Sequence, residues 1–598
     1  MRRVLLGWAA VVVGSGLVAA PAGAQGAFGL LPGGTGCVAQ NPSSETGSCA
    51  HGHGLSGANA IAASPDGKNI YVAAGTAATT QGPGYGAVVT FARDGSSGVL
   101  TESSCTSSDG TDSIDGAIGT CSASGPGLLD ADGIAVAPNG AHVYVAGFTS
   151  GSIVEFTRDT GTGALTETGC FQEYPPFGGA CGQARVYRNA DAAAIAPGGG
   201  ALFVGSSRGA ISSFDLTKVF FGFTPPSDKP DPAHVANQCI ATAGVDGACA
   251  QGNATQGISS LVVSPDGKFL YAAAPTSSAI VTLSIDPATG ALAQMGCLKH
   301  SAPTTACANA KLVNSPSVLA MSPDGNNVYD ADYSDGARLV TLRRDAGGGQ
   351  LTEGGCVERL APPPPPDTGS DTGSDTGSDT GSGASVHRGH AAQSSAGCAQ
   401  VNGLDSLNSV AVAPDGRTVF AAGTGALNTF ARDPSGGALS GGGCLASDDS
   451  RCSTMPAFSL IASLASIGSN LYGTAMSSSA VLTFGPGAGA RTVRRGVDRS
   501  GRVFLAVSCP HSVRRGCSGR VLLAQSVRRR RGHASLAAAS SGTRFHVSAG
   551  HSRLYVVYAS RSVRRQLRRQ RTLGLVAVIS SDPGHGAGSG TRIALHRH

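Results

Sequence analysis

The sequence predicts an all-β chain: a seven-bladed β-propeller closed by an N-terminal strand, then a small C-terminal β-sandwich. Three observations predict it. Glycine is abundant (88 of 598 residues), with short β-rich runs and weak helix signals. One strand-and-turn pattern recurs seven times. Sixteen cysteines fall into close pairs that keep step with that pattern.

The chain opens with Arg2 and Arg3, an apolar stretch from Val4 to Ala20, and the small-residue sequence Ala22-Gly23-Ala24. This is the pattern of a secretory signal peptide, residues 1–24, cleaved after Ala24. No second apolar stretch long enough to span a bilayer follows, so the expectation is a secreted, extracellular chain with no membrane span after cleavage. The only tryptophan, Trp8, lies in that leader, which leaves the mature chain without the best stacking surface for sugars or bases.

The fullest repeat runs from Asn59 to Cys105. An apolar run ends in Ser64-Pro65-Asp66-Gly67, a turn in which Pro fixes one backbone angle and Gly permits a positive one. Ile70-Tyr71-Val72-Ala73 follows, then Val88-Val89-Thr90-Phe91-Ala92-Arg93-Asp94, then Gly98-Val99-Leu100-Thr101-Glu102 leading to Cys105. The turn recurs at Ala137-Pro138-Asn139-Gly140, Ala196-Pro197-Gly198-Gly199, Ser264-Pro265-Asp266-Gly267, Ser322-Pro323-Asp324-Gly325 and Ala413-Pro414-Asp415-Gly416, and in degenerate form at Ser466-Ile467-Gly468-Ser469.

Each copy is a four-stranded antiparallel meander that cannot bury both faces alone, so copies must pack on one another. Seven such copies fit radial packing around a channel, whereas their irregular spacing does not suit a solenoid. One large ring per copy, at Tyr71, Tyr144, Phe203, Tyr271, Tyr329, Phe420 and Tyr472, suits packing between blades. The seventh copy stops at Val481-Leu482-Thr483-Phe484. Its missing strand stands at the front of the chain, Phe28-Gly29-Leu30-Leu31 leading to Gly36-Cys37, so the two ends are expected to join.

Cysteine spacing predicts eight local disulfides: Cys37–Cys49, Cys105–Cys121, Cys170–Cys181, Cys239–Cys249, Cys297–Cys307, Cys356–Cys398, Cys444–Cys452 and Cys509–Cys517. The propeller spans residues 27–486. It is interrupted at about 361–393 by Pro362 to Pro366 and four Asp-Thr-Gly-Ser units, expected to be disordered. A basic β domain fills 490–598: from Arg491 onward there are about twenty arginines and two acids, Asp498 and Asp582. The remainder is therefore net acidic by about fifteen charges.

The repeat resembles the lactonase-like seven-bladed propeller family, related to phosphogluconolactonase-type and YVTN-repeat propellers. The residues that carry the likeness are Ser64 to Ala73, Ser264 to Tyr271, and Phe156-Thr157-Arg158-Asp159 with Gly163-Ala164-Leu165-Thr166. The resemblance implies hydrolysis of sugar lactones, but none of the family's catalytic residues matches a position here. Val503 to Pro510 and Cys517 to Leu523 resemble immunoglobulin-like modules of secreted actinobacterial proteins. The stretch Arg561 to Arg571 is expected as a short helix or loop.

Counting five residues back from each turn gives Asn59, Asp132, Asp191, Ser259, Ser317 and Asn408, with apolar Ile461 in the seventh copy. These short polar side chains suit a ring that holds a small polar ligand or a divalent cation at the channel mouth. Equally, they suit residues that satisfy turn backbone. No other cofactor is evident. Asp330 and Asp332 break the apolar pattern of the fifth copy and are secondary candidates, with a solvated hairpin as the plain expectation. His51 and His53 could begin a metal site but lack a third ligand. Gly205-Ser206-Ser207-Arg208-Gly209 has the letters of a nucleophile elbow but falls in a strand-to-strand turn. Arginines 514–515, 528–531 and 564–571 suit anionic cell-envelope polymers; no nucleic-acid recognition motif accompanies them. The expected function is thus a secreted binding or envelope-associated scaffold. The alternative is a lactone hydrolase using Asp132 or Asp191 as metal ligand or base.

Overall fold

The computed structural model describes residues 28–597 apart from 173–180, 218–237, 361–396 and shorter stretches, chiefly in loops. The leader and the Asp-Thr-Gly-Ser insert lie outside the described residues. So do Arg514, Arg515, Arg529 to Arg531 and Arg571.

Seven sheets share one plan. In the first, Ala58–Ala63, Asn69–Thr76, Tyr85–Arg93 and Leu100–Ser107 run antiparallel in chain order. A fifth, short strand, Ser122–Ala123, adds in parallel beyond them. That strand was not expected from the sequence. It is the return leg of the Cys105–Cys121 loop, and the disulfide holds it against the fourth strand. The first strands neighbour one another in chain order, and that of the seventh sheet, Ile461–Ile467, neighbours that of the first. The described sheets therefore form a closed cycle, a β-propeller arrangement. All eight expected disulfides are present, with Cα separations of 4.5–5.6 Å, and no cysteine is free.

The N-terminal segment closes the cycle. Phe28 pairs with Pro486 and Leu30 with Phe484, and Cys37–Ala39 continues along the same strand through Cys37 with Leu482. The first and last parts of the chain thus share one sheet, and the outer side of Ala480–Pro486 is covered.

A buried polar interlock ties sheet to sheet. Tyr71 of the first sheet donates its hydroxyl to Gly163 O of the second (2.9 Å) and receives Arg158 Nε (2.6 Å). The same guanidinium, 1% exposed, reaches Asp66, Asn69 Oδ1 and Gly140 O. Arg344 repeats this on Tyr271 and Asp266, and Arg432 on Tyr329, Asp324 and Asn327. Across the closure, Arg93 of the first sheet meets Tyr472 (2.6 Å) and Asn470 (3.0 Å) of the seventh. The Arg register is occupied by Leu216 in the third sheet, Ile285 in the fourth and Pro486 in the seventh. Two of the rings facing those positions are Phe203 and Phe420, which have no hydroxyl to satisfy. The third, Tyr144, instead donates to Glu155 of its own sheet (3.0 Å), which also accepts from Thr168.

After the seventh sheet, two further sheets share one apolar cluster. A three-stranded sheet of Gly489–Thr492, Arg502–Ser508 and Ser552–Tyr558 contributes Val503, Leu505, Val507 and Val557. A six-stranded sheet built on Cys517–Arg528, Thr572–Ser581 and Ser589–Arg597 contributes Val521, Leu523, Leu575, Ile579 and Leu595. Arg561–Arg569 is a helix, resolving the helix-or-loop alternative. Ser560 caps it, and Val563 and Leu567 anchor it in the same cluster.

Candidate functional site

Five of the six sequence-predicted ring residues stand at a common irregularity. Asn59, Asp132, Asp191, Ser317 and Asn408 are each the extra residue of a β-bulge in a first strand. Ser259 stands just before the first strand of the fourth sheet. In the seventh sheet the bulged residue is Ala462, not Ile461, because Ile467 pairs with Asn470 across a hairpin two residues shorter than the other turns. The one-residue correction follows from that shortened turn.

Two residues earlier the backbone turns left-handed, at Gly57, Asp130, Asn189, Gly257, Ser406 and Leu460. The fifth sheet is the exception. There Ser315, which precedes Pro316, stays out of the left-handed region, and the Asp332 carboxylate instead collects the amides of Asn314 (2.6 Å) and Ser315 (2.9 Å).

The ring side chains divide into two kinds. Ser259 Oγ donates to Ser317 O of the next sheet (2.7 Å), Ser317 Oγ to Ala331 O (2.5 Å), and Asn408 Nδ2 to Ser406 O (2.7 Å). These three satisfy backbone, as the plainer expectation held. Asn59 O receives Thr474 Oγ1 (2.9 Å) across the closure.

Asp132 and Asp191 differ. They stand at the bulges of neighbouring first strands and hydrogen-bond each other. Burial raises both carboxyls; the charge of Asp130 raises Asp132 further while the hydrogen bond from Asp191 lowers it, and Asp191 is raised further by Asp132 and by Asp130. Asp132 is pushed up to about 7 and Asp191 to about 8. The pair therefore keeps one proton between two carboxylates near neutral pH. Asp132 Oδ1 is buried without a hydrogen-bond partner among the described residues.

The hairpin between the second and third strands of the third sheet completes the group. Ser207 hydrogen-bonds Asp191 through its side chain, and its amide donates to Asn189 O (3.0 Å). Exposed Arg208 donates from Nε to Asn189 Oδ1 (3.0 Å). Asp130 is held by Thr149 Oγ1 (2.9 Å). Ser207 is the central serine of the elbow-like letters. The turn joins two strands, as expected, so no elbow exists, yet the hydroxyl still meets a carboxyl. The available signal was position: hairpins between second and third strands lie at the same end of each sheet as the bulges.

The secondary candidates are corrected. Asp330 and Asp332 are not on a solvated hairpin; both are fully buried. Asp330 pairs in register with Leu319 and Val340, within the apolar cluster that includes Tyr271, Leu298 and Val313. Neither carboxyl oxygen has a hydrogen bond of ordinary geometry among the described residues, and the backbone of Ser317 is the polar group nearest to satisfying them. Burial and the nearby Asp332 hold its carboxyl well above the ordinary range.

His53 is occupied by Glu102, which accepts its amide (2.8 Å) and lies 3.1 Å from its ring. Glu353, at the same place in the fifth sheet, accepts from the amides of Lys311, Leu312 and Val313, so this glutamate anchors the loop from the preceding sheet. Among the described residues no three His, Cys, Asp or Glu side chains group as a metal centre.

Architecture and site together define a propeller-type chain with an acidic pair on neighbouring inner strands. No family model matches the sequence, and no curated protein matches it. Among solved structures, the chain is similar to a periplasmic gluconolactonase of Pseudomonas aeruginosa, at 17% identity over 69% of this chain and 94% of that one, TM-score 0.42. It is similar to a putative 6-phosphogluconolactonase of Bacteroides uniformis, at 18% identity over 64% and 82%, TM-score 0.38. It is also similar to the Cps50 (Swd1) β-propeller domain of Myceliophteria thermophila, at 10% identity over 72% and 97%, TM-score 0.40.

Proposed function

We propose that this is an exported, lactonase-like propeller of seven blades carrying an immunoglobulin-like sandwich, and that it hydrolyses a sugar lactone at the Asp132–Asp191 pair. The observation that supports the reading is the pair itself: two carboxyls from adjacent bulges sharing a proton, where three other ring side chains are spent on backbone. The eight disulfides fit a chain that works outside the cytoplasm. The lactone class comes from the resemblance of the repeat.

In the reaction, water adds to the lactone carbonyl as the ionised carboxylate accepts its proton. The ring C–O bond then breaks, and the protonated partner gives its proton to the departing oxygen. Ser207 hydrogen-bonds Asp191 of the pair, and exposed Arg208 of the same hairpin is held by Asn189. The reading requires no metal; a divalent cation at the ring remains a proposal that chelation and re-addition would test.

The test is turnover of five- and six-membered sugar lactones by the purified chain, followed as acid release in a pH-stat. D132N and D191N should each lower the enzymatic rate by about 100-fold or more with the melting transition retained. Wild-type rates equal to the uncatalysed background, or unchanged rates in both variants, would remove the proposal.

A second reading, a binding or envelope-associated scaffold without turnover, is favoured by the arginine-bearing helix, which the ring chemistry does not use.

A further inference from the structure

We infer that the exposed face of the helix Arg561–Arg569 is a docking stripe for a linear polyanion of the cell envelope. Arg561, Arg565, Arg568 and Arg569 are all exposed, at i, i+4, i+7 and i+8. That spacing puts them on one side of the helix, in steps of about 5–6 Å along a stripe of about 12 Å.

The arrangement is not one that serves the helix. Arg561 stands in the first turn, where the helix dipole disfavours a cation, and the first turn contains no acid. Arg561 with Arg565, and Arg565 with Arg569, are like charges one turn apart. Arg568 is itself engaged within the molecule, but neutralisation of the stripe as a whole from within the domain is limited: after Arg491 the only acids in the sequence are Asp498 and Asp582, and Asp582 accepts from Ser518 Oγ (3.0 Å). A face held at this electrostatic cost fits an external partner that supplies regular negative charge.

The structure also favours one class of partner. The apolar residues of the helix, Val563 and Leu567, point into the domain core, and its exposed residues are Arg561, Ser562, Arg565, Arg568 and Arg569. No apolar face is left to enter a bilayer, as a membrane-surface helix requires. Every cysteine is paired, which puts the chain in an oxidising compartment, away from intracellular nucleic acid. An extended, soluble oxyanion polymer of the envelope satisfies both conditions, and arginine forks suit either phosphate or carboxylate groups along it.

The test uses the full chain with long-chain polyphosphate as probe, over a salt series, beside R561Q/R565Q/R568Q/R569Q and the corresponding four-lysine variant. Glutamine and lysine both favour helix, and circular dichroism with thermal melting checks the fold. The expected result is binding that weakens with salt. The glutamine variant should lose about 10-fold or more near 0.1 M salt, with a log–log salt slope shallower by about 3. The lysine variant should keep most of the affinity, because the charge remains. Equal binding by the glutamine variant overturns the proposal. So does tighter binding to phosphatidylglycerol vesicles than to polyphosphate, or failure of wild type to bind polyphosphate, which would assign the stripe to the acidic propeller instead.

Discussion

Replacing Asp191 with Asn should make the protein more stable in mildly alkaline buffer and change it little in acid. In the unfolded chain an aspartate ionises near 3.8; in the folded chain Asp132 and Asp191 do so at about 7 and about 8. Below about pH 3 both states are protonated and the pair costs nothing. As pH rises, the unfolded chain releases these protons first while the folded chain keeps them. The folded state then binds more protons, and stability falls with pH until the second proton leaves at about 8. Each unit of displacement is worth about 1.4 kcal/mol, so the Asp191 displacement sets a ceiling of about 6 kcal/mol. Both groups retain some solvent contact, and screening brings the expected gain from D191N at pH 8.5 to about 1–3 kcal/mol. The assay is urea denaturation under non-reducing conditions at pH 4.5 and 8.5. Wild-type and D191N curves that stay parallel between the two pH values would refute the proton-sharing pair.

Asp330→Val, which installs the residue found at the same register as Val72, Val145 and Val204, should raise stability by about 1–3 kcal/mol, because it removes a buried carboxyl with at most a weak contact to the Ser317 backbone. A lower melting temperature for this variant counts against that reading. Arg432→Met should cost about 3–5 kcal/mol, since Asp324, Asn327 and Tyr329 all lose a buried partner. Adding Tyr329→Phe should restore part of that loss, so a double-mutant cycle that comes out additive would break the coupling. Replacing Cys444 and Cys452 by Ala opens an eight-residue separation and should cost about 2–3 kcal/mol by the chain-entropy argument, read as a shift in urea midpoint.

The sequence revealed what depends on neighbours along the chain. Each disulfide joins cysteines close in sequence, and each Pro-Asp-Gly turn is self-contained, so both were legible. The closing strand was legible for a different reason: the seventh copy is visibly one strand short, and its missing piece stands at Phe28. Longer-range pairings were not. Arg158 and Asp66 are 92 residues apart, and Arg93 and Tyr472 are 379 apart. Yet the letters carry a trace, since Phe203 and Phe420 replace Tyr only where the following copy lacks Arg. The burial of Asp330 was hidden because polar letters in a strand suggest solvent, and register alone decides which face they take. The Asp132–Asp191 contact was half legible: both residues were candidates, but a count along the chain does not show which members of a ring meet.

The seams of the cycle are not equal, and their inequality bears on where the site lies. Arg interlocks join the first sheet to the second, the fourth to the fifth, the fifth to the sixth and the seventh to the first. The third sheet has none on either side: Tyr144 faces Leu216, and Phe203 faces Ile285. This sheet without an Arg interlock is the one that supplies Asp191 and Ser207. A repeat that must close a ring needs most of its seams locked, and conformational freedom can be kept only where a lock is omitted. The acidic pair spans one of those unlocked seams, between the second and third sheets. There, a small relative shift of two inner strands would alter how the carboxyls share their proton. Such a shift would leave the Arg–Tyr interlocks elsewhere in the ring intact.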